Sequence, residues 1–151
     1  MDDGVSKMVK MSKELMNLLR EWHTVPVATV GKDGNPNVAG KNIMFRDDET
    51  ILWPELYFMQ TYENLKQNPI ASICVWGKNP PYPAYKIKGS IKLYEDEELA
   101  DFVHESWRRG HKKAGVAMPK HREGKKAAVV FSVEEIYDQT PSPEAGGKKI
   151  S

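Results

Sequence analysis

Lys41 and Asn42 stand inside a run that otherwise alternates like a β-strand. Gln60 and Thr61 open a short helical piece, and Lys86 and Lys88 recur along a later strand. A phosphate group is held by backbone N–H groups, a hydroxyl and one or two cations. These residues supply that set if the fold brings the second strand beside the short helix. Thr61 reads as the N-cap of Tyr62 to Gln67, and a helix start of that kind also offers N–H groups and partial positive charge to an anion.

Other chemistries lack their motifs. There is no Ser-His-Asp order, HExxH, P-loop or strand-linked GxGxxG, so hydrolase, metalloprotease and Rossmann readings have no support. His23, His104, His111 and His121 have no i,i+4 pairing and read as solvated side chains rather than as a metal site. The one cysteine, Cys74, lies in the apolar run Ile70 to Trp76 and reads as a small buried hydrophobe. Trp22, Trp53, Trp76 and Trp107 read as core or interface anchors, two of them ending strands where a pocket rim would lie.

The elements that must position these residues follow from spacing. Met8, Met11, Leu15, Leu18, Leu19 and Trp22 recur at helical intervals, which predicts an amphipathic first helix. Val27 to Val30 meets the turn Gly31-Lys32-Asp33-Gly34-Asn35-Pro36, where Asp-Gly supplies positive φ. Asn37 to Phe45 returns with Val38, Gly40, Asn42 and Met44 on one face and Asn37, Ala39, Lys41, Ile43 and Phe45 on the other. Thr50 to Trp53 is the third strand of this meander, and Pro54 to Gln60 breaks its period before the short helix, which Asn68-Pro69 ends.

Ile70 to Trp76 reads as a fourth strand, and the proline-rich loop Gly77 to Pro83 must lie on the surface. From Tyr85 to Tyr94 the alternation is cleanest, with Tyr85, Ile87, Gly89, Ile91 and Leu93 on one face. A second long helix starts near Asp96, shows Leu99, Phe102, Val103 and Trp107 at its spacing, and is expected to stop at Gly110. His111 to Lys126 is basic and irregular. Ala127 to Val133 is the last strand, extended by the following residues, and Pro141 to Ser151 has the composition of a flexible tail. The fold class is thus mainly β (α+β): an antiparallel, Greek-key-like closed or half-closed barrel with an N-terminal helix, a short helix after the third strand and a longer helix before the last. Residues 1–140 form one domain.

Composition narrows the partners. Lys+Arg and Asp+Glu stand at 22 and 21, so no global positive field favours nucleic acid or an anionic membrane. No run approaches the roughly twenty apolar residues of a membrane span, and a single cysteine excludes an internal disulfide. The expected location is the cytoplasm.

In their order, VPVATVGKDGNPNVAGKN, TILWP, QTYENLKQNPIASICVW and YKIKGSIKLYED resemble the FMN-binding split β-barrel proteins related to pyridoxamine 5′-phosphate oxidase, in particular the small FMN-binding protein type. The likeness spans roughly residues 22 to 133. It implies FMN as cofactor, with Gly40, Lys41 and Asn42 touching the flavin and its phosphate arm. Pro54, Glu55 and Leu56 would run along the ring edge, with Gln60 and Thr61 holding the phosphate and Lys88 matching a basic position. It also implies a homodimer with FMN at the interface, where Trp107 or residues of the partner's last strand close the pocket, and an oxidoreductase passing electrons or hydride to a small-molecule or protein partner.

Two departures qualify the likeness. Gln60 stands where many relatives place Lys or Arg. The Arg-rich C-terminal signature of the vitamin-B6 oxidases is not found, so pyridoxamine phosphate oxidation is not implied. A deazaflavin-dependent reductase on the same fold and a non-catalytic flavin sensor are the alternatives.

Overall fold

The computed structural model describes residues 8–57, 59–95, 97–115, 126–144 and 146–151. Their elements are α1 (Lys13–Trp22), β1 (Thr24–Val30), β2 (Pro36–Asn42), β3 (Met44–Phe45), β4 (Thr50–Glu55), α2 (Gln60–Gln67), β5 (Ile70–Trp76), β6 (Ala84–Glu95), α3 (Glu98–Lys113), β7 (Ala127–Asp138) and β8 (Lys148–Lys149). All pairings are antiparallel, in the order β2-β1-β5-β6-β7-β4-β3, with β8 beside β7. This is a mainly β, α+β split barrel.

The first three runs are not one meander. The expected β1–β2 hairpin forms, pairing Thr24 with Asn42 and Val30 with Pro36, with Gly34 taking the positive φ of its turn. At Ile43, however, the backbone N–H donates to the His23 carbonyl at 3.0 Å, and the chain then crosses to the other end of the sheet, where β4 pairs with β7. The edge of β2 and the end of β4 thereby face one another across the split in the barrel. Glu55 and Pro54, expected beyond the third strand, belong to β4 and are buried.

The core explains the strands. Ile51 and Trp53 of β4 join Val25, Val27, Ile73, Ile87, Val129 and Phe131 inside the barrel, while Leu52 turns to the opposite side against Ala100 and Val103 of α3. Covered on both faces, β4 is buried at every position rather than alternating. The buried stripe of α3 is Ala100, Val103, His104 and Trp107, the i, i+3, i+4, i+7 set of one face. Phe102, expected on that stripe, is instead exposed.

Several boundaries differ from expectation. The first helix starts only at Lys13, capped by the Ser12 hydroxyl, which accepts from Leu15 N. The segment before it is extended, its Val9 and Met11 N–H groups donating to the Val133 and Asp48 carbonyls. The helix α3 runs through Gly110 to Lys113, with Gly110 in open space. Glycine costs a helix only about 1 kcal/mol, so it need not end one. The tail, expected to be flexible, returns at Lys148–Lys149 to pair with Tyr137 and Asp138.

Candidate functional site

The split between β2 and β4, closed at one end by the start of α2, holds a cavity of about 360 Å³, at the small end of the range for ligand sites. Its walls are Asn37, Ala39, Gly40, Lys41 and Asn42 from β2, Pro54 and Glu55 from β4, and Leu56, Tyr57, Met59, Gln60 and Thr61 from the following turn and helix start. Gly40, Lys41, Asn42, Pro54, Glu55, Leu56, Gln60 and Thr61, which lie in two separate stretches of sequence, are therefore brought together.

The cavity has two distinct ends. At one, the Asn37 amide donates to the Thr61 hydroxyl at 3.2 Å. The Gln60 amide donates to Asn64 Oδ1 at 2.7 Å, and the Asn64 amide donates in turn to the Thr29 hydroxyl at 3.1 Å. Asn64 and Thr29 are buried, so this chain of side chains pins α2 to β1. Thr61 is not the N-cap. The helix starts at Gln60 behind Met59, whose side chain makes no capping bond, and the Thr61 hydroxyl turns to β2 instead. The first turn of α2 thus opens on the cavity without a side-chain acceptor in front of it.

At the other end, Lys41 Nζ lies 3.0 Å from Glu55 Oε1, across the split, with side-chain exposures of 17% and 2%. The same carboxylate oxygen accepts from the Trp53 indole at 3.1 Å. Lys41 is the sole cation and Glu55 the sole anion among the described lining residues. The ends are set by strand geometry. From Asn37 to Lys41 is four residues, or about 13 Å at the rise of an extended chain. Asn42 closes the rim, its side chain accepting from the Thr24 hydroxyl at 2.5 Å.

Two expected site residues lie elsewhere. Lys88 is on the outer face of β6, in register with Ser72 and Glu135, where it lines a second cavity of about 430 Å³. The ammoniums of Lys86 and Lys88 both lie over the Tyr137 ring. Trp107 is buried on α3 and faces a third cavity of about 410 Å³ with His23, Ile43, Met44 and His111, which meets the first at Asn42.

Other side chains depart from the sequence reading. Cys74 is exposed on the outer face of β5, because the inward positions of that strand fall on Ala71, Ile73 and Val75. His104 is buried, not solvated, and its Nε2 donates to the Ala127 carbonyl at 2.8 Å. Burial pushes its pKa below the ordinary value. His121 lies outside the described residues, and no cluster of three metal-ligating side chains exists among the described ones. Asn37 and Asn64 are further site residues that no motif in the sequence marks. Their signal was a polar side chain at the inward position of a strand and of a helix, legible only once the inward side was known.

Comparison with known proteins agrees with this architecture. The family described as pyridoxamine 5′-phosphate oxidase matches residues 11–140. An uncharacterized protein of Methanocaldococcus jannaschii is 27% identical over 145 residues, covering 92% of this chain and 87% of that protein. Among solved structures, Group A Streptococcus HupZ superposes with a TM-score of 0.72 at 21% identity, covering 93% of this chain and 99% of that one. An F420 reductase gives 0.65 at 18%, covering 83% and 98%. The Vibrio cholerae heme storage protein HutZ gives 0.62 at 19%, covering 86% and 95%. At these identities the structures attest the shared fold.

Proposed function

The chain belongs to the pyridoxamine 5′-phosphate oxidase family, and from that premise we propose that it binds FMN in the β2–β4 split and serves as a redox protein. The observation that carries the reading is the two-ended cavity. Phosphate-type donors (the Thr61 hydroxyl, the Asn37 and Gln60 amides and the first turn of α2) gather at one end, and a buried ion pair lies about 13 Å away along β2. That length and polarity suit a phosphate at the helix and a planar ring beyond it.

The bound flavin supplies the electron or hydride chemistry. The residues of this chain bind, orient and shield it. The neutral donors at α2 hold the phosphate without a cation, Gln60 being an amide, and each such hydrogen bond to a charged group contributes about 1.5–3 kcal/mol. Pro54 and Leu56 form the apolar edge that excludes water from the ring, and Lys41 with Glu55 forms its charged boundary.

The functional unit in this proposal is a homodimer. On the outer sheet face Val38, Ala28, Ser72 and Lys88 form one cross-strand row, with Val38 66% exposed and Ile70 of β5 54% exposed. A second copy seated there would cover them and bring Lys88 toward the partner's flavin.

The likeness to an F420 reductase favours one second reading, a deazaflavin in the same cavity. The heme named for HutZ finds no imidazole among the described residues lining it. Purification followed by absorbance spectroscopy, with titration of the apoprotein by FMN and by the deazaflavin, separates these readings. A flavin spectrum or micromolar FMN binding is expected. Binding of neither cofactor would end the proposal, and preference for the deazaflavin would replace it with the second reading.

A further inference from the structure

The Lys41–Glu55 pair is not explained by phosphate binding. It lies at the end of the cavity away from Thr61, and its two charges are largely withdrawn from water, which costs desolvation that ion pairing only partly returns. Glu55 is the fixed member. Its Oε1 is held by the indole of Trp53, which is fully buried in the barrel core, so the carboxylate cannot move to meet a ligand. Lys41 reaches it from the opposite strand on a flexible stem, and its ammonium has three donors, of which Glu55 takes one. The cavity therefore presents at this end an ammonium whose position and effective charge are set by a carboxylate behind it.

We propose that this pair sets the preference of the site for the reduced over the oxidised flavin ring, with Glu55 a positioning residue that holds Lys41 and partly cancels its charge. The inference rests on the FMN reading above. Reduction of an isoalloxazine by two electrons with uptake of one proton leaves one added negative charge on the ring. An ammonium beside the ring stabilises that charge, and a carboxylate a few ångströms further back opposes it. In the reading above the phosphate occupies the α2 end, so the ring faces the pair.

The test measures the affinity of the apoprotein for oxidised FMN and, anaerobically, for FMN reduced with dithionite. It uses the natural chain, Glu55→Gln, Lys41→Met and the double variant. Removing the carboxylate alone is expected to shift the ratio of affinities toward reduced FMN by about tenfold, which is about 30 mV upward in midpoint potential for a two-electron couple. Lys41→Met leaves the carboxylate uncompensated, and the ratio is expected to move about tenfold the other way. The double variant restores the net charge and is expected to fall within about twofold of the natural chain. Glu55→Gln preserves shape and the indole acceptor, so it reports even if Lys41→Met fails to fold. FMN binding with a ratio unchanged in Glu55→Gln would overturn the inference and leave the FMN reading standing. No binding of either form to the natural chain would overturn both.

Discussion

At the scale of single residues, Thr61 shows how one side chain can look like a cap and do something else. Its place before a short helical stretch fits an N-cap, yet the helix begins one residue earlier and the hydroxyl of this residue, 4% exposed as a whole, accepts from Asn37 instead. The hydroxyl thereby ties α2 to β2 at the end of the cavity assigned to the phosphate. Replacing Thr61 by Ala removes a donor to that phosphate and leaves the Asn37 amide without its acceptor. FMN affinity should fall about tenfold, and stability by about 1–2 kcal/mol. Isothermal titration and denaturant unfolding would read the two separately. Unchanged affinity would place the phosphate elsewhere. Cys74 and His104 teach the same lesson in opposite senses: one was expected in the core and is exposed, the other expected in water and is buried.

At the scale of elements, the long strands β6 and β7 hold the barrel together through a local irregularity. Pairing runs from Tyr85↔Asp138 to Lys88↔Glu135, then resumes at Gly89↔Val133, leaving Glu134 as the extra residue of a bulge. Glu134 uses its freedom to accept from the Ser90 hydroxyl at 2.7 Å. The backbones approach so closely there that a Cβ on Gly89 would fall 2.1 Å from the Ser132 carbonyl oxygen. Gly89→Ala is therefore expected to destabilise the fold by about 3 kcal/mol, since backbone rather than a movable side chain must yield. The check is the midpoint of chemical unfolding. Because β7 pairs with both β6 and β4, the same change should also loosen the wall that carries Glu55.

At the scale of the whole molecule, the cavity sits where the sheet fails to close, between β2 at the start of the strand order and β4 near its end. No helix among the described residues is long and apolar enough to cross a membrane. The outer face that carries Val38 and Ile70 is the one proposed to receive a second copy. Ile70→Lys puts a charge into that contact while changing a half-exposed position, so the folded monomer should lose no more than about 0.5 kcal/mol. Sedimentation should show a dimer for the natural chain and a monomer for the variant, with weaker FMN binding in the monomer. A natural chain that sediments as a monomer would end the dimer proposal.

The sequence by itself determined the elements whose signals are local. The Asp-Gly turn of the β1–β2 hairpin, the alternation of Tyr85 to Tyr94 and the Asn-Pro stop after α2 depend on residues close in the chain, where backbone preference and side-chain period act directly. The order of motifs also carried the resemblance to the family, and with it eight residues that the fold gathers around one cavity. What only the tertiary structure decided depends on contacts between distant segments. The crossing of β4 to the far side of the sheet, the inward side of each strand, the buried pairing of Lys41 with Glu55 and the outward place of Lys88 are of this kind. A period of two says that faces alternate but not which face meets the core. That choice, made by packing across the whole barrel, sets Lys41 and Glu55 together at one end of the cavity and leaves Lys88 outside it.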